Sequence, residues 1–123
     1  MLKPKTLFVL DAIGALVSAF LLGVVLVQYQ AVFGIPIHVL HILAVFPCLF
    51  AMYDVGCLIA KPTNIGAYLK GIAFMNLGYV VLSLSLAFIH QDAITLFGWM
   101  YLFGEVAIVS LVAMVELRVG FTA

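Results

Sequence analysis

The run from Ala93 to Arg118, AITLFGWMYLFGEVAIVSLVAMVELR, constrains the rest of the chain more than any other stretch. It is apolar and long enough to cross a bilayer as a helix. It also carries two acids, Glu105 near its middle and Glu116 near its end. Eleven residues of helix amount to about three turns plus 20° at roughly 100° per residue, so the two carboxyls share one face. A carboxyl at mid-membrane is costly, faces protein or water, and marks function. The other apolar segments are therefore expected to pack around this face.

Those segments recur along the chain. Of 123 residues, 67% are hydrophobic and 8% charged, more apolar surface than a soluble domain of this size can hide. Membrane spans are expected at about 6–27, 38–60, 68–89 and 93–117. The expected fold is all-α, an integral-membrane four-helix antiparallel bundle forming one domain over 1–123. The first apolar stretch, Leu7 to Val27, exceeds the usual ~7–15 residues of a signal-peptide core, and no small-x-small cleavage site ends it. It is read as a retained span. Gly34 and Pro36 mark the first turn, Lys61 to Lys70 (KPTNIGAYLK) the second, and His90-Gln91-Asp92 a tight third.

Charge placement gives the orientation. Four spans put both termini and the second turn on one side, and all five basic residues lie there: Lys3, Lys5, Lys61, Lys70 and Arg118. The positive-inside rule then puts both termini in the cytoplasm, with the chain in a cytoplasmic (inner) membrane. Tyr29, Tyr68 and Trp99 fall near the expected boundaries, as an aromatic belt would. The net charge is zero, which offers nothing to a nucleic acid or a polybasic lipid contact.

Polar residues inside the spans are few. Residue counting puts Asp11, Asp54 and Asn76 at a similar depth in the inner half, with Tyr53 beside them and Glu116 nearer the cytoplasmic surface. Glu105 lies about 18 Å from the Ala93 end of its helix, near the middle of a ~30 Å core. No basic residue shares that depth. This leaves a neutral acid donating a hydrogen bond, or a charged acid holding a cation. Asp11, Ala15, Ala19 and Gly23 recur at i+4 steps, a spacing that lets two helices approach closely in lipid. Pro47 withdraws the amide that the Leu43 carbonyl would otherwise accept from, favouring a kink. Two echoes suggest two hairpins related in parallel: Asp11 with Ser18 against Asn76 with Ser83, and Ala51 to Asp54 against Ala113 to Glu116.

These features support a small transporter or channel for an ion, proton or small cationic solute. Glu105, Asp11, Asp54, Asn76, Tyr53 and Glu116 would line its pathway. Four helices enclose little space, so a second copy, a homodimer in the bilayer, is expected to complete it. The alternative is a non-catalytic membrane interaction or lipid-binding subunit, in which the polar groups only specify packing. A weaker alternative is a metal or redox protein using His38, His41 and His90, with Asp92 as fourth ligand or hydrogen-bond partner. A bis-histidine haem would need ligands facing each other from opposed helices, whereas His38 and His41 are neighbours near the surface. Cys48 and Cys57 are about 13 Å apart on a helix and read as packing residues, not a disulfide. Phosphate loops, catalytic triads, CxxC pairs and zincin motifs are missing, so no catalytic residue and no cofactor are assigned.

The orientation is directly checkable. A cysteine at Gln91, in a background lacking Cys48 and Cys57, should react with a membrane-impermeant maleimide added outside the cell. Reaction from the cytoplasmic side alone would invert the assignment.

Overall fold

The computed structural model describes residues 3–122. It is all-helical among those residues, with α1 (Pro4–Gln28), a short α2 (Gln30–Phe33), α3 (Ile37–Ala60), α4 (Ile65–Ile89) and α5 (Leu96–Thr122). Four of these, α1, α3, α4 and α5, are long and apolar enough to cross a membrane, and the chain is a multi-pass membrane protein. Large apolar side chains such as Phe20, Met52, Phe74 and Ile108 lie exposed along the spans, as lipid contact requires. The four spans form an antiparallel bundle of two tight hairpins, α1 with α3 and α4 with α5. Gly23 sets the approach in the first hairpin, since a Cβ there would sit 3.5 Å from that of Ala44. By contrast α1 and α5 scarcely touch, which leaves a seam down one side.

The two ends of the bundle are closed by different means. At one end α2 and its turn meet the start of α5. The Thr95 amide donates to the Phe33 carbonyl at 3.1 Å, and its hydroxyl donates to the Val32 carbonyl at 2.5 Å. Gly34 takes the left-handed conformation (φ 72°) against the backbone of Ala93 and Thr95, where a side chain has no room. Apolar residues fill this half: Leu22, Leu26, Leu40, Leu43 and Leu102 are buried. At the other end Gly120 packs on the Gly66 carbonyl and Lys70, and the Lys70 ammonium sits 4.6 Å from the centre of the Phe121 ring.

Several details depart from the sequence expectations. α4 begins at Ile65, not near 68, because the turn closes early through the Ala67 amide on the Asn64 carbonyl at 3.0 Å. α5 begins at Leu96, not 93, because Thr95 is drawn aside to bond the Phe33 and Val32 carbonyls of α2. Thr95 then caps the helix by accepting from the Gly98 amide at 3.3 Å. The same helix runs through the expected tail to Thr122, held by the Gly120 contact. α1 contains an unforeseen π turn at Leu21–Val25, while α3 continues as one helix through Pro47. Cys57 is buried but Cys48 is exposed, so only the first packs inside the bundle.

The seating of α5 on α2 predicts a contrast between two glycines. A Cβ at Gly98 would collide with the Phe33 backbone, whereas one at Gly56 meets nothing within 4 Å. Gly98→Ala should lower stability by about 1–3 kcal/mol through overpacking, and Gly56→Ala should not lower it. Thermal unfolding of the purified protein in detergent measures both.

Candidate functional site

Each span contributes one polar side chain to a buried cluster in the half of the bundle nearer the start of α1 and the end of α5. These are Asp11 from α1, Asp54 from α3, Asn76 from α4 and Glu116 from α5. Asn76 is the hub: its amide nitrogen donates to Asp11 Oδ1 and to Glu116 Oε1, each at 3.0 Å. Asp54, fully buried at 0% exposure, stands beside Asp11 with neither oxygen bonded. One oxygen each of Asp11 and Glu116 also lacks a partner. Three negative charges confined here would repel one another strongly in a low dielectric, so the cluster calls for protons or a cation. The pairs singled out as sequence echoes, Asp11 with Asn76 and Asp54 with Glu116, meet in this one cluster.

Glu105 lies further along α5 and makes a separate arrangement. Its Oε1 accepts a hydrogen bond from the Tyr79 hydroxyl of α4, and its Oε2 is unbonded. Ser18 of α1 and Tyr101 stand beside the same carboxyl. The seam between α1 and α5 widens here into a cleft of about 430 Å³, within the range of small-molecule sites. Glu105, Tyr79, Tyr101 and Ser18 form its polar wall toward one end, and Asp11 and Asn76 line it toward the other. The remaining wall is apolar, and no basic residue lines it. Pro47 and the first residue of the π turn, Leu21, also reach the cleft, so two helix irregularities border it.

Sequence reasoning named Glu105, Asp11 and Asn76, which border the cleft, and Asp54 and Glu116, which close the cluster behind it. Tyr53 stands apart: its hydroxyl donates to the Tyr68 carbonyl at 2.8 Å and ties α3 to the start of α4. The partners of Glu105 were missed. Tyr101 is one turn before Glu105 and Tyr79 nearly one turn after Asn76, so face-sharing would have found both. His38 and His90 pack edge to face with ring centres 5.2 Å apart, but no group of three His, Cys, Asp or Glu among the described residues is placed to hold a metal ion. No protein-family model, curated protein or solved structure matches this chain.

The hub role of Asn76 is measurable. Asn76→Leu should destabilise the bundle by about 1–3 kcal/mol, because two buried carboxyls lose their donor. A double-mutant cycle with Glu116→Gln should give a coupling of roughly 1 kcal/mol. Unfolding in mixed micelles reads both quantities.

Proposed function

We propose that this chain moves a proton or small cation across the cytoplasmic membrane. Glu105 is the intramembrane carrier group, and the Asp11–Asp54–Asn76–Glu116 cluster forms the inner mouth. The observation that carries this reading is the shared cleft: Glu105 and Asp11 both line it, each with an unbonded oxygen, and no basic side chain competes for them. Carboxyls so placed accept protons or neutralise a cation, a use that repays the cost of keeping acids in hydrocarbon. The Tyr79 hydroxyl on Glu105 orients the carboxyl and leaves its second oxygen turned to the cargo.

Movement needs access to alternate. Beyond Glu105 the bundle is packed with Leu22, Leu26, Leu43 and Leu102, so the far side is sealed in this conformation. The π turn Leu21–Val25 and Pro47 border that seal on adjacent helices, and such irregularities are where helices bend. Bending there would open the apolar half while the Asn76 hub holds the inner half. Both termini and the basic second turn lie on the cytoplasmic side in this scheme.

Reconstitution tests the proposal. In proteoliposomes carrying a proton or alkali-cation gradient, Glu105→Gln should reduce flux at least tenfold, with helicity and unfolding temperature preserved. Unchanged flux with only stability altered would favour the interaction or lipid-binding subunit instead.

A further inference from the structure

The cleft has a property that a pathway for hydrated ions does not need: it opens sideways. Its rim is built from α1 and α5 at Leu10, Val17, Met100 and Ile108, all exposed, with Val17 and Ile108 near the middle of their helices. At that depth the medium is hydrocarbon. Gly14 on α1 and Gly104 on α5 also line it, and a Cβ added at either would meet nothing within 4 Å. Glycines in membrane helices commonly bring backbones together, but these two meet no neighbour and leave a gap. Inside the gap the wall is mostly apolar, yet two acids face it. Asp11 is 8% exposed and its Oδ2 has no partner, and Glu105 Oε2 is likewise unbonded.

We propose that the cleft binds a hydrophobic amine, an ammonium bearing an apolar substituent, which enters from the bilayer between α1 and α5. This narrows the cargo class of the proposed function and rests on that reading. A hydrophilic ion cannot approach through hydrocarbon, and a neutral lipid would leave both buried carboxyl oxygens unbonded. An amine dissolved in the membrane meets both conditions. On taking a proton from the Glu105 carboxyl, the neutral amine becomes an ammonium whose N–H donates to Glu105 Oε2, while its apolar body covers the valine, leucine and methionine wall. The Tyr79 hydroxyl holds Glu105 in place for that contact.

The test uses the purified full chain in nanodiscs of zwitterionic lipid and a tritiated tertiary amine carrying two aromatic rings. Saturable binding is expected. The isosteric alcohol, with hydroxyl in place of the amine, should bind at least tenfold more weakly, and tetramethylammonium should not compete. Glu105→Gln should weaken amine binding at least tenfold. Gly104→Leu, which fills the gap without touching a carboxyl, should do the same, while Gly56→Leu outside the cleft should not. Equal binding of amine and alcohol, competition by tetramethylammonium, or full affinity in both cleft variants would overturn the inference. So would disulfide cross-linking of two copies through Val17→Cys in a protein that binds no amine, because a second copy would then fill the cleft. Flux that depends on Glu105 without amine binding sinks this inference alone. Amine binding without any flux sinks the transport reading alone.

Discussion

The paired hydrogen bonds from Asn76 to Asp11 and Glu116 hold this bundle in the form that makes the rest intelligible. In lipid there is little hydrophobic drive between helices, so packing and interhelical hydrogen bonds decide which faces meet. The two hairpins are each tight, but α1 and α5 have almost no packing of their own. They are joined at one end through Asn76 and at the other through Thr95 bonded to α2. Between those fastenings nothing draws them together, and the cleft is what remains.

That arrangement divides the acids by role. Asp54 and Glu116 are enclosed and share the buried cluster with Asn76. Glu105 has a tyrosine partner on one side and open space on the other. Asp11 belongs to both, bonded to Asn76 through one oxygen and lining the cleft. A single residue in two environments is a natural route for passing charge between them.

Much of this was legible in the residues. Apolar runs of membrane length announce themselves, and an acid within one stands out against its neighbours, so the four spans and the shared depth of Asp11, Asp54 and Asn76 could be read directly, whereas Glu116 was expected nearer the surface. The helix starts were less legible. Ala93 to Thr95 look like continuing helix until the bonds of Thr95 to Val32 and Phe33, residues about 60 earlier, are seen. The π turn has no signature in LLGVV, and it lies where α1 packs against α3. Tyr79 and Tyr101 were passed over because a tyrosine in a span reads as an aromatic filler, though helical spacing aligned them with Asn76 and Glu105. The seam itself is the least legible feature, since glycines at Gly14 and Gly104 read as packing residues unless the neighbouring helix is known to be missing.

Glu105 and Asp11 face a cleft open to the bilayer, while Asp54 and Glu116 are enclosed. A hydrophobic carbodiimide, which reaches carboxyls from the membrane phase, tests this division most directly. Mass spectrometry of the labelled full-length protein should find the adduct on Glu105, with Asp54 and Glu116 spared. Equal labelling of all three, or an unmodified Glu105, would contradict the account.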